Sequence, residues 1–164
     1  CRGADTVVGI EKSHPACRII QTNWQMVATP EQTFQVIRGD VVKKLSQLNQ
    51  APFDLVYFDP PYAAKLYNPV LETLIRESLL APNAAIAAEY NPDYWQPDSF
   101  SKLELSRTKR YGLTSLALFN ALYRIRWMPV ALLFTISVNI RANHSKTLYF
   151  SLRSLDIAYP YQSA

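Results

Sequence analysis

The β-rich run Phe53-Asp54-Leu55-Val56-Tyr57-Phe58 ends on Asp59-Pro60-Pro61-Tyr62. Proline fixes φ and carries no N–H, so two in succession give a rigid loop stripped of two donors. The Asp59 carboxylate and a proline carbonyl remain as pure acceptors, which suits an amino group with two protons to donate. Tyr62 can then stack on the ring that carries the amine, a contact worth about 1–3 kcal/mol. The plainer alternative is a Pro-rich turn with Tyr62 packed as core.

Two further acids stand at equivalent places. Glu11 follows the run Thr6–Ile10, and Asp40 follows Phe34–Ile37 through Arg38-Gly39. A carboxylate after the second strand of a nucleotide-binding unit is well placed to accept hydrogen bonds from ribose hydroxyls. Taken singly, an acid at a strand end is as readily a cap or a solvated group. Three in register point to a ligand.

These side chains need elements to hold them. The β-branched Thr6–Ile10 predicts a buried strand. Ser13 at an N-cap position, Pro15 near the first helical turn, and Ala16, Ile19, Ile20 and Trp24 at helical spacing predict an amphipathic helix over about 15–27. Phe34–Ile37 is the next strand, and Asp40 caps a second helix whose apolar face is Val42, Leu45 and Leu48. Phe53–Phe58 is the third strand. A third helix is expected from Pro69 to Leu80, broken by Pro82-Asn83, and a fourth strand over Ala84–Tyr90. Lys102–Tyr111 and Leu113–Phe119, joined at Gly112, predict an antiparallel hairpin. The alternation β-α-β-α-β-α-β followed by a hairpin implies an α/β fold: a parallel sheet with helices on both faces and right-handed crossovers. Such sheets bind ligands at the carboxyl ends of their strands.

Composition sets outer bounds. With 164 residues, 49% hydrophobic and 18% charged, the chain has the apolar content for one domain's core and too little charge for disorder. Residues 1–119 carry 12 Lys/Arg against 12 Asp/Glu, so the net charge of +4 comes wholly from residues 120–164, with five basic residues and Asp156. Net charge is therefore a poor argument for nucleic-acid binding. Cys1 and Cys17 make neither a disulfide framework nor a metal site, and are expected as reduced thiols. His14 and His144 are isolated and expected at the surface. No signal peptide or initiating Met opens the sequence.

Asp59-Pro60-Pro61-Tyr62 resembles the (Asp/Asn)-Pro-Pro-(Tyr/Phe) motif of amino methyltransferases, which act on N6 of adenine, N4 of cytosine or N2 of guanine. Together with Val7-Val8-Gly9-Ile10-Glu11-Lys12-Ser13, Arg38-Gly39-Asp40 and Arg110-Tyr111-Gly112 with Thr114, it is similar to the RsmD-type 16S rRNA guanine-N2 methyltransferases over about residues 1–119. The resemblance implies a Rossmann-like, class I S-adenosylmethionine-dependent enzyme of the bacterial cytoplasm. Its partner would be 16S ribosomal RNA or a small-subunit assembly intermediate, with no metal and no membrane. By the same resemblance Glu11 binds the cofactor ribose, Asp40 its adenine amino group, and Val41 packs on the adenine ring. Asp59 and the Pro60 carbonyl hold guanine N2, Tyr62 stacks on the base, and Pro61 lies on the substrate side. Lys109, Arg110 and Tyr111 at the hairpin tip contact RNA, and with Lys102 and Arg107 the two basic residues form a cluster suited to phosphates. For Phe58 and Tyr67, pocket lining and core packing both stand open.

The sequence departs from that family at both ends. The family begins with a strand and a Gly-rich turn that cradle the methionine part of the cofactor. Here there is no Gly-x-Gly, and Cys1-Arg2-Gly3-Ala4 looks like the end of the helix that follows that turn. The expectation is a sheet without its first, central strand, an open edge beside Thr6–Ile10 or Phe53–Phe58 that favours aggregation, and weak or absent cofactor binding with no useful activity. Residues 120–164 are expected to be an atypical extension beyond a methyltransferase domain of residues 1–119. Trp127–Ile140 is apolar but shorter than the roughly 20 residues of a membrane span, and Val130–Ile140 is a conceivable filler of the vacant strand position. Other readings are a DNA or protein amino methyltransferase, including one acting on N6 of adenine, or an inactive remnant that binds RNA without cofactor.

Overall fold

A computed structural model describes residues 4–49 and 52–122 in full and the backbone of Lys146–Ser151. The elements run β1 (Thr6–Glu11), α1 (His14–Val27), β2 (Thr33–Arg38), α2 (Val41–Leu45), β3 (Phe53–Asp59), a 3-10 turn (Tyr62–Ala64), α3 (Tyr67–Arg76), β4 (Leu80–Tyr90), β5 (Leu103–Tyr111), β6 (Thr114–Ala121) and β7 (Lys146–Ser151). They form one seven-stranded sheet in the order β2-β1-β7-β3-β4-β6-β5. β2, β1, β7, β3 and β4 are parallel, and β6 and β5 run antiparallel at one edge. This is the Rossmann-like α/β sheet with a C-terminal hairpin that the alternation of elements predicts.

The local signals act as their chemistry requires. Ser13 Oγ accepts from Ala16 N at 3.4 Å to cap α1, with Pro15 in the first turn, where a missing N–H costs nothing. α1 lies on β2 through a stacked Trp24–Phe34 pair, ring centroids 4.4 Å apart. Asp40 Oδ1 accepts from Lys43 N at 3.1 Å and caps α2. The hairpin turn carries positive φ at Gly112 and not at Leu113, the φ pattern of a type II′ turn.

Three expectations are corrected. The third helix ends at Arg76, and the break is Ser78 in left-handed backbone at φ 55°, so Pro82-Asn83 lies inside β4. There the pairing with β3 jumps from Phe53↔Leu80 to Leu55↔Ala85, and the extra residues form a bulge in which Asn83 takes φ 62°. The central position of the sheet is not vacant, because β7 occupies it. Gly9 pairs with Tyr149 on one side and Tyr57 with Tyr149 on the other, so neither β1 nor β3 presents an open edge there. The strand in that position comes from Lys146–Ser151, while Val130–Ile140 lies outside the described residues.

The core is one cluster around β3, β4 and α3. Val56, Phe58, Val70, Leu71, Leu74, Ile86 and Phe119 are all buried in it. Phe58 and Tyr67 belong to this cluster, meeting edge-to-face at 5.6 Å. Core packing is thus what both side chains do, which leaves neither to line a pocket. Among the described residues, no helix is long and apolar enough to cross a membrane.

Candidate functional site

Because β1, β2, β3 and β4 are parallel, their last residues emerge at one end of the sheet. Glu11, Asp40, Asp59 and the loop after Tyr90 therefore share a rim. The antiparallel hairpin brings its tip to the same rim, since Tyr90 pairs with Ser115 and Tyr111 with Thr114.

Glu11 is the most enclosed of the acids, 3% exposed. Its carboxylate accepts from Ser13 N at 2.6 Å, which fixes the side chain against the start of α1. Burial pushes its carboxyl above the ordinary 4.5, against the opposing pull of the Ser13 and Lys12 backbone N–H groups. The Glu11 carbonyl accepts from Gly39 N at 2.9 Å, which ties the ends of β1 and β2 together. Gly39 holds φ 154°, which disfavours a side chain there. The next residue, Asp40, is thereby set beside Glu11 at the head of α2. Cys17 Sγ donates to the Glu11 carbonyl at 3.5 Å. Burial, then the Glu11 charge, raises the Cys17 thiol, so it stays protonated and inert.

A cavity of about 460 Å³ opens at this rim, within the range of small-molecule sites. Among the described residues it is lined by Glu11, Lys12, Ser13, Asp40, Val41, Pro61, Ala64 and Leu66. Four residues singled out in the sequence, from three different loops, thus meet around one space. The sequence did not point to Ala64 and Leu66, which reach the cavity because the 3-10 turn and left-handed Lys65, at φ 52°, fold the chain back after Pro61. Two carboxylates beside the apolar Val41, Pro61 and Leu66 offer acceptors for hydroxyl and amino groups and a greasy wall for a flat ring. That donor set fits the adenosine part of a nucleoside cofactor. Among the described residues, no group of three His, Cys, Asp or Glu side chains stands together as a metal site.

Asp59 closes β3, and Pro60 behind it is buried. Tyr62 is half-buried, and its hydroxyl is 2.9 Å from Thr114 Oγ1, which pins the ring to the tip of the hairpin. The motif loop and hairpin tip are thus one unit, as the sequence grouping of Thr114 with Arg110-Tyr111-Gly112 anticipates. The basic residues are more dispersed than a cluster. Lys102 sits at the far end of β5, lining a separate cavity of about 220 Å³ with Leu74, Pro82 and Leu122. Side chains alternate across a strand. The pairs Arg107↔Leu118, Lys109↔Leu116 and Tyr111↔Thr114 therefore share one face, that of Tyr62's partner Thr114, while Arg110, opposite Ser115, turns to the other. Arg110 Nε donates to the Gly112 carbonyl at 3.1 Å.

Comparison with known proteins agrees with this architecture. Residues 1–120 match the family described as Conserved hypothetical protein 95. The chain is similar to YlbH of Bacillus subtilis (strain 168), named as a candidate rRNA methyltransferase, with 22% identity over 120 residues. That match covers 72% of this chain and 65% of the relative, so the chain spans just under two thirds of that protein's length. A candidate methylase of Haemophilus influenzae shares the fold with a TM-score of 0.65 and 29% identity over 74% of this chain and 69% of its own. A conserved hypothetical protein of Streptococcus pyogenes gives a TM-score of 0.65 and 26% identity over 73% and 74%. The chain belongs to this RsmD-type methyltransferase family.

Proposed function

We propose that this member of the RsmD-type family transfers a methyl group from S-adenosylmethionine to an exocyclic amino group of a nucleic-acid base, with guanine N2 of 16S ribosomal RNA as the target. The observation that carries the reading is the meeting of Glu11, Asp40, Val41 and Pro61 around one cavity beside Asp59-Pro60-Pro61-Tyr62. The family and the name of the Bacillus relative support methyl transfer and rRNA. The name of that relative favours an rRNA target over a DNA or protein one.

Glu11 accepts the ribose hydroxyls, Asp40 the adenine amino group, and Val41 packs on the adenine ring. The cofactor, when bound, supplies a methyl group already activated as a sulfonium. The chain's own task is then to orient the amine, which can remove much of the barrier. Asp59 and the Pro60 carbonyl accept hydrogen bonds from its two N–H groups and favour a pyramidal, electron-rich nitrogen, while Tyr62 holds the ring from its face. A base drawn from a helix must first be extruded, at about a few kcal/mol.

Calorimetric titration of the full chain with S-adenosylhomocysteine tests the cofactor half. With β7 filling the central position of the sheet, binding at micromolar levels is expected in place of the weak binding anticipated for an open sheet, and Asp40→Ala should abolish it. Asp40→Ser controls for the α2 cap: serine still caps but is too short to reach the ligand, so it should also fail to bind while keeping the fold. Nucleoside analysis of methylated small-subunit particles tests the target half, with N2-methylguanosine expected. N6-methyladenosine would move the target to adenine. Absence of cofactor binding would leave an RNA-binding remnant.

A further inference from the structure

Singly exposed aromatic residues are ordinary, but Tyr94 is exposed on a rigid mount beside the site. The loop after β4 begins with Asn91, whose side chain accepts from Asp93 N at 2.9 Å and whose carbonyl accepts from Tyr94 N at 3.0 Å and Trp95 N at 3.2 Å. Trp95 anchors that turn. Its indole N–H donates to Asn68 Oδ1 at 2.8 Å, and its ring stacks on buried Tyr67 at 4.4 Å and meets Tyr90 edge-on at 5.2 Å. Tyr94, next in the chain to this anchor, stays 60% exposed. Its ring stands 6.3 Å from that of Tyr62, tilted by 32°. Tyr62 is itself fixed through its hydroxyl by Thr114. A flat ring held between two others needs about 7 Å, twice the van der Waals spacing of roughly 3.5 Å. A small rotation of the exposed Tyr94 side chain provides it.

We infer that Tyr94 is a second base-contacting residue: with Tyr62 it forms a two-walled aromatic slot that grips the nucleobase presented to Asp59. The inference rests on the nucleobase reading of the site and adds a residue outside the Asp-Pro-Pro-Tyr motif. A slot with two faces has a purpose that one face lacks. An extruded base loses both stacking neighbours, and two rings restore both. The contact is sequence-tolerant because every base has a π-face, so Tyr94 strengthens capture while the acceptors at Asp59 and Pro60 choose the amine.

The test uses the full chain and a single-stranded RNA carrying 2-aminopurine, whose fluorescence is quenched on stacking. The wild-type chain should quench it. Tyr94→Ala should lose most of the quenching and raise KM for RNA by roughly 5- to 150-fold, the equivalent of about 1–3 kcal/mol per stacked base, with kcat little changed. Tyr94→Phe and Tyr94→Trp should behave as wild type. Affinity for S-adenosylhomocysteine should be equal in all four proteins. The slot is overturned if Tyr94→Ala quenches and binds like wild type, if Tyr94→Phe is as impaired as Tyr94→Ala, or if the wild-type chain does not bind the probe. Tyr94-dependent quenching without any cofactor binding would keep the slot and sink the methyl-transfer reading instead.

Discussion

On the β1–β2 side of the sheet one of the polar groups is drawn inward. Glu11 is buried, held by a backbone N–H, and lines a cavity with exposed Asp40 and with Val41. On the β5 side they are turned outward: every residue of β5 after Leu103 is exposed, and Lys109 and Tyr111 stand on an edge strand. A buried carboxylate has few partners and acts at low dielectric, so each contact weighs heavily. An exposed cation shares its work with neighbours and with salt. One side is suited to a small molecule read group by group, the other to a long, charged polymer read by its field. Asp59 and Tyr62 lie at the junction.

The largest effect is expected at that junction. Asp59→Ala removes the side-chain acceptor proposed to hold the amine. Single-turnover methyl transfer should fall on the order of 10²–10³-fold, the scale of losing one preorganised hydrogen-bond partner of a reacting group, while S-adenosylhomocysteine binds as before. If rate and cofactor affinity fell together by the same factor, Asp59 would belong to the cofactor side and the division of labour would break.

Next comes Glu11→Gln, which sets function against stability. Loss of a charged hydrogen-bond partner, about 1.5–3 kcal/mol, should weaken S-adenosylhomocysteine roughly 10- to 100-fold. Burial raises the Glu11 carboxyl above 4.5 in the folded chain. Between its unfolded and folded values the folded state therefore binds more protons, so stability falls as pH rises through that window. The deficit is absent below the unfolded value and complete above the folded one. Glu11→Gln, which carries no charge to bury, should melt higher than wild type at pH 7 and lose that advantage near pH 4. Wild-type cofactor affinity should drop as pH falls through the raised Glu11 value, and the variant's should stay flat. A Gln variant less stable than wild type at neutral pH would remove the account of the buried acid.

What was legible in the sequence follows the range of the forces involved. β1, α1 and β3 are written in local chemistry: β-branched runs, Ser13 and Pro15 at a helix start, prolines at a strand end. Asp40 was legible twice over, since the same position after a strand that brings its carboxylate to the cavity also makes a helix cap. The place of β7 was not legible. Nothing in Lys146–Ser151 says that it will lie between β1 and β3, because a parallel strand's partners are chosen by the sheet as a whole. The end of α3 was missed because Ser78 takes left-handed backbone, where glycine is the usual signal. Tyr94 was hidden in a Pro-rich loop, and only the stacking of Trp95 on Tyr67 reveals that the loop is rigid.

The smallest effect separates two adjacent cations. Lys109 shares its face of the hairpin with Tyr111 and Thr114, hence with Tyr62, whereas Arg110 faces away and donates to Gly112. Lys102 precedes the strand at its opposite end, about 3.4 Å away for each residue of its length. RNA lying across the Tyr62 face should feel Lys109 directly. Lys109→Ala should weaken binding a few-fold at low salt and reduce the slope of log affinity against log salt by about 0.7–0.9, the loss of one phosphate contact. Arg110→Ala should change that slope less, and Lys102→Ala not at all. Filter binding over a salt series reads all three. Equal slopes for the Lys109 and Arg110 variants would mean that RNA wraps the hairpin edge rather than lying on one face, and the outward side of the sheet would then be a general electrostatic rim with no preferred approach to Tyr62.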